Sequence, residues 1–182
     1  MGVTVLIARY LGEKNPEQIS SVIGGAAVVF TLLSVCLFAA MVFFARPISV
    51  LMQAPAEAVT LTASYVRICG SGIFFIVAYN LLSAIFRGLG DSKSPLLFVL
   101  VACIVNIVGD LVLVAGLHMD AAGAAFATVF AQAVSVVFAV VILFKKQLPF
   151  HIGKSDLGFN SQCSKFLSIG LPLALQEFLT QV

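Results

Sequence analysis

Polar residues are so sparse along this chain that they act as punctuation between apolar runs. Gln18 to Ala45, Ile68 to Phe86 and Ala121 to Phe144 contain no Asp, Glu, Lys or Arg. A fourth run, Pro95 to Leu117, carries a single charge, Asp110. Each run approaches or exceeds the ~20 residues needed to cross a ~30 Å hydrocarbon core. Lipid leaves no partner for open backbone groups, so the runs must be helices or a closed barrel. A barrel would show ~10-residue segments of alternating polarity, and none is present. The pattern predicts the end of a helix at 1–10 and spans near 19–45, 58–86, 95–117 and 121–144. An incomplete span starts at about 164.

The boundaries carry turn chemistry. Gly12 to Pro16 is a short polar turn, and Arg46-Pro47 and Ala54-Pro55 bracket a short amphipathic connector. Arg87 to Pro95 is a tight, glycine-rich link, His118 to Asp120 is the shortest turn, and Lys145 to Lys165 is the longest loop. The glycine-rich link follows no strand and lacks the lysine spacing of a phosphate loop, so nucleotide binding is not expected there.

Composition agrees with the pattern. The chain is 61% hydrophobic and 10% charged, against ~25% charged in soluble domains, and its mean hydropathy is +1.13. An integral membrane protein is expected. With 16 Phe and no Trp, the Trp interfacial belt is missing, and orientation must come from charge. Arg9, Lys14, Arg87, Lys93, Lys145, Lys146, Lys154 and Lys165 fall on one side, only Arg46 on the other, and Arg67 inside a span. The positive-inside rule puts loops 9–18, 87–94 and 145–165 in the cytoplasm. A net charge of +2 is too small to suggest nucleic acid. Cys36, Cys69, Cys103 and Cys163 form no C-x-x-C pair, so neither a disulfide nor a metal framework is expected.

Both ends look internal to a longer protein. Met1 leads directly into what reads as the last turns of a helix, and the apolar stretch from Phe166 reaches Val182 without a flank. Small residues mark expected helix contacts at Gly24 to Ala27, at Gly70 and Gly72, and at Ala121 to Ala125, because close backbone approach drives helix association in lipid.

Asp110 is the residue that points to a function. A lone carboxylate at membrane depth costs ~2.5–3.5 kcal/mol on insertion scales and is kept for cations, protons or interhelical pairing. Asn106 lies four residues earlier, on the same helix face. Counted from the turn at ~1.5 Å per residue, Thr128 on the next helix sits at the depth of Asp110 and is expected to reach it if the faces agree. An amide, a carboxylate and a hydroxyl supply hard oxygen ligands for a small cation, or a seat for a proton. The structural alternative is that Asn106 and Thr128 merely satisfy a buried carboxyl. Arg67 either snorkels outward or pairs with Glu57, Asp120 or a headgroup phosphate. Glu177, five residues after Pro172, is either a second coupling carboxylate or a polar residue facing its own lobe. His118 and His151 are isolated, and no catalytic arrangement requires an enzyme.

The chain resembles the multidrug and toxic compound extrusion (MATE) family of transporters. The resemblance is carried by A-S-Y-V-R-I at 63–68, F-R-G-L-G-D-S-K-S-P at 86–95 and N-I-V-G-D at 106–110. To these are added A-A-G-A-A-F-A-T-V-F-A-Q at 121–132 and G-L-P-L-A-L-Q at 170–176. It implies an all-α, polytopic transmembrane bundle, most of one six-helix lobe of a twelve-helix, two-lobe transporter. Residues 1–144 would be the amino-terminal lobe without its first helix, 145–163 a cytoplasmic interlobe loop and 164–182 the start of the second lobe. The family's cation site falls on Asp110, Asn106 and Thr128, which would ligate the metal if sodium is the coupling ion. Its other acidic member belongs to the absent first helix. Some relatives use a seventh-helix carboxylate further beyond the proline than Glu177, so that role is not transferred.

The implied activity is antiport in the cell membrane. Inward sodium or proton flow would expel bulky, often cationic amphiphiles, with no cofactor and with a monomer when full length. The alternatives are a lipid-linked oligosaccharide flippase of related fold, an intramembrane enzyme, or a purely structural membrane subunit. The flippases usually line their cavity with several cations, and here only Arg67 lies within a span.

Overall fold

The computed structural model describes residues 2–51, 55, 57–146 and 161–181. Its elements are all helical: α1 Gly2–Gly12, α2 Pro16–Phe43, α3 Ala45–Leu51, α4 Val59–Ser71, α5 Ile73–Gly88, α6 Lys93–Asp110, α7 Asp120–Lys145 and α8 Ser161–Gln181. A short π-helical segment, Leu111–Gly116, extends α6. Among the described residues, three helices are long and apolar enough to span a membrane: α2, α6 with its π extension, and α7. The bent pair α4–α5 makes a fourth if it counts as one span. The fold is an all-α polytopic membrane bundle, as the pattern of apolar runs requires.

Local signals place the helix starts. Pro16 occupies the first turn of α2, and the Asn15 side-chain oxygen accepts a hydrogen bond from Gln18 N at 3.3 Å. Proline with a capping Asn is a favoured helix entry. The amphipathic connector expected at 46–55 forms the short α3 as far as Leu51, and 52–54 lie outside the described residues. The exposed side chains of the long helices are largely Leu, Val, Ile and Phe, as lipid contact demands.

Two of the expected spans are interrupted. The 58–86 run is two helices, α4 and α5, bent by 50° at Gly72. A Cβ on Gly72 would lie 2.7 Å from Val129 Cγ1 of α7, so glycine lets the corner sit against that helix. The 95–117 run is α-helical only to Asp110, then π-helical, with Leu117 N bonding Val112 O at 3.0 Å. Hydropathy reports whether a run is apolar and is blind to both interruptions.

α7 is the hub, packing against α4, α5 and most heavily α6. Cβ atoms added at Gly109 and Gly123 would lie 2.9 Å from Ala127 Cβ and 3.2 Å from the Leu113 carbonyl. The small residues of the hairpin are its contact stripe. A second core joins α1, α2, α5 and α8 through Leu6, Ile7, Val22, Ile85 and Phe166. The Tyr10 hydroxyl donates to Gln162 Oε1 at 3.0 Å.

At the open end of the hairpin, away from its turn, Asp91 Oδ1 accepts from Lys93 N and Ser94 N, both at 3.1 Å. Oδ2 accepts from Ser94 Oγ at 2.5 Å and pairs with Lys146. Lys146 also lies 5.5 Å from the Phe86 ring centroid. Phe86, Phe98 and Phe138 stack edge to face beneath it. This cluster ties the α5–α6 link to the end of α7.

Candidate cation-coupling site

The register of the α6–α7 hairpin decides which polar groups meet. Gly109 faces Ala127 and Leu113 faces Gly123, which brings Asn106 across from Thr128. Asn106 Nδ2 donates to Thr128 Oγ1 at 3.3 Å, and Thr128 Oγ1 donates to Ala124 O at 2.9 Å. The threonine proton is thereby committed to its own helix, and the hydroxyl faces Asn106 as an acceptor. Counting inward from the turn paired Thr128 with Asp110 instead. In the structure the asparagine takes the threonine.

Asp110 is half-buried, and its Oδ1 is shielded from solvent with no hydrogen-bond donor among the described residues. A buried acceptor without a partner costs ~1–3 kcal/mol, more when charged. Asp110 is also the last α-helical residue before the π segment. Such interruptions are frequent at functional sites.

Two further polar groups belong to this region. The Tyr65 phenol, on α4, interacts with Cys69 and Thr128 and is close enough to Asp110 to feel its charge. Gln132 Oε1 is buried and has no hydrogen-bond partner among the described residues. Gln132 lines a cavity of about 250 Å³ together with Tyr79, Cys103, Asn106 and Thr128. Gln132 follows Thr128 by four, so the same i, i+4 rule that linked Asn106 to Asp110 finds it. Tyr65 stands in the A-S-Y-V-R-I stretch, but nothing local in that stretch shows that it reaches α7.

Arg67 does not join the site. It is exposed and forms no ion pair among the described residues, with Glu57 and Asp120 equally unpaired. Glu177 lies in α8, and its side chain falls outside the described residues, as does His151. No group of three or more His, Cys, Asp and Glu side chains converges among the described residues. One carboxylate among neutral oxygens suits a single positive charge, either a proton or a monovalent hard cation.

The MatE family pattern matches residues 1–112. The chain belongs to the MatE family. Among curated relatives, it is 30% identical over 94% of its length to the probable multidrug resistance protein YpnP of Bacillus subtilis. It is 25% identical over 98% to the probable multidrug resistance protein NorM of Thermotoga maritima. It spans 38% and 39% of those two proteins.

Solved MATE transporters have the same fold. An inward-facing conformation matches with a TM-score of 0.87 at 29% identity, over 94% of this chain and 39% of that one. An outward-facing conformation matches at 0.88 and 28%, over 97% and 40%. This chain therefore matches the two conformations about equally well. As a member of this family of transporters, the chain is a multi-pass membrane protein.

Proposed function

We propose that this chain supplies most of one lobe of a multidrug antiporter driven by inward sodium or proton flow, and that Asp110 takes the coupling cation. The observation that carries the proposal is the shielded, unpartnered Asp110 oxygen beside the Asn106–Thr128 pair. A site built only for packing would have its oxygens satisfied. A proton or sodium ion arriving there removes both the bare charge and the bare acceptor. The stabilisation is differential, and only a differential affinity can move a conformational equilibrium.

In this reading residues 1–144 form the coupling lobe, 145–163 the cytoplasmic connector and 164–182 the start of the second lobe. Thr128 and Asn106 supply neutral oxygens around the ion, and Tyr65 brings α4 to the carboxylate. Neutralising Asp110 would then reach α4, whose bend at Gly72 rests on α7 next to Thr128. The lobe would rock largely as one body.

The relatives named for multidrug resistance or export support amphiphilic, drug-like substrates. For one structural neighbour, a MOP superfamily transporter from Pyrococcus furiosus, reversed polarity of the binding pocket suggests a different function. Fold therefore does not settle the cargo. The test is export of a fluorescent cation by the full-length protein in proteoliposomes under imposed sodium or proton gradients. Asp110→Asn is expected to abolish gradient-driven export while the protein still inserts. Export by the variant that still follows an imposed gradient would refute the proposal.

A further inference from the structure

A crevice of about 460 Å³ opens between α1, α2, α5 and α8 and shares no lining residue with the Asn106–Thr128 cavity. Its volume lies within the ~300–1,000 Å³ of small-molecule clefts. Among the described residues, Arg87, in the last turn of α5, is the one cation in its wall. Arg87 is exposed and forms no ion pair among the described residues. The other basic side chains at this end include Arg9, held by Glu13, and Lys146, held by Asp91. Arg87 is left facing the crevice with its charge uncommitted.

The rest of the wall is apolar in effect. Val29, Phe30, Leu33, Phe166 and Leu171 supply most of it. The two polar side chains deeper in spend their donors on the backbone. Thr4 Oγ1 donates to Ala84 O at 3.2 Å, and Asn80 Nδ2 donates to Ile76 O at 2.8 Å. Asn80 precedes Arg87 by seven residues, about 10 Å along the helix. The crevice therefore has a cationic mouth at the lysine- and arginine-rich end of the bundle and a hydrocarbon interior.

We infer that this crevice binds an anionic phospholipid, with the phosphate on the Arg87 guanidinium and an acyl chain along Leu33, Ala84 and Leu171. Guanidinium pairs with phosphate through two parallel hydrogen bonds, and basic pockets between helices on the cytoplasmic side suit anionic headgroups. A free phosphate would find one arginine, while the Thr4 hydroxyl and the Asn80 amide already donate to backbone. A zwitterionic lipid would gain the hydrocarbon contacts but bring its own cation to the mouth. The inference is independent of what the protein exports.

The test counts lipids retained by the full-length protein, using native mass spectrometry after reconstitution into nanodiscs of phosphatidylcholine with phosphatidylglycerol. The wild type is expected to retain phosphatidylglycerol selectively. Arg87→Gln should weaken that retention by about tenfold, the value of one charged hydrogen-bonded contact, and Arg87→Lys should restore part of it. Arg46→Gln, at the other end of the bundle, should change nothing. Melting in pure phosphatidylcholine should be the same for Arg87→Gln and wild type, which separates lost binding from lost folding. Equal retention of the two lipids, or unchanged selectivity in Arg87→Gln, would overturn the assignment. Displacement of the lipid by millimolar inorganic phosphate would make this a soluble-anion site and would also overturn it.

Discussion

Two aspartates bracket α6, and their surroundings are opposites. Asp91, just ahead of the helix, is saturated: two backbone N–H groups, the Ser94 hydroxyl and the Lys146 ammonium cover both of its oxygens. Asp110, the last α-helical residue, has one oxygen shielded from solvent and bonded to nothing among the described residues. The first is finished chemistry, and its value is to hold the α5–α6 link against the end of α7. The second is unfinished, and a carboxylate in that condition gains most from an arriving cation. Charge alone does not mark a working residue in a membrane lobe; an unsatisfied charge does.

Exchanging the two aspartates' fates would break this comparison most sharply. Asp110→Asn should abolish cation-driven export while shifting the melting temperature little, because its net coupling role lies in differential binding. Asp91→Asn should do the reverse: export persists under the gradient, and the melt shifts. An equal loss of export from both variants would erase the distinction.

Next in size is the seam that holds the two ends in register. Gly109→Leu puts a side chain where even a Cβ comes to 2.9 Å of Ala127 Cβ. Overpacking of this kind costs ~1–3 kcal/mol. A fall in melting temperature together with lost export is expected, and Gly109→Leu with unchanged stability would contradict the register.

Removing the Asp91 cluster should cost ~1–2 kcal/mol, the usual value of a helix-entry carboxylate, read as the melting shift of Asp91→Ala in detergent. It should also show in acid. Burial raises the Asp91 pKa, but hydrogen bonds from Lys146 and Ser94 and the Lys146 charge outweigh it, so the carboxyl sits well below its ordinary range. A depressed folded-state pKa gives stability that is whole above the ordinary carboxylate range and is lost as pH falls below it. Asp91→Asn should therefore lose less stability than wild type between neutral and acidic pH. Identical acid limbs would refute the role.

The smallest effect is expected at Arg67. It is exposed and makes no ion pair among the described residues, so Arg67→Gln should move the melt by no more than ~0.5 kcal/mol and leave the coupling ratio intact. A changed ratio would bring Arg67 into the site that the geometry leaves it outside.

The sequence disclosed what depends on local pattern. Uncharged runs gave the spans, Pro16 and Asn15 gave the start of α2, and four-residue spacing put Asn106 and Asp110 on one face. The bend at Gly72 was hidden because the close approach that needs a glycine there, to Val129, involves another helix. The π segment was hidden because Leu111 to Gly116 is as apolar as any α-helical stretch, and the pairing of Thr128 with Asn106 was hidden because it depends on how α6 and α7 pack. Asp91 read as one more turn residue, since its partner Lys146 comes 55 residues later. Tyr65 went unassigned for the same reason: its relation to Thr128 and Asp110 exists only once α4 packs on α7.

The central claim is that Asp110 itself takes up the coupling charge. Infrared difference spectra of the full-length protein, recorded between high and low sodium and between high and low proton activity, observe that event at the carboxyl group. The account predicts a carboxyl band that changes with at least one of the two ions and is missing in Asp110→Asn, while Asp91→Asn retains it. A band that persists in Asp110→Asn, or none that responds to either ion, would contradict it.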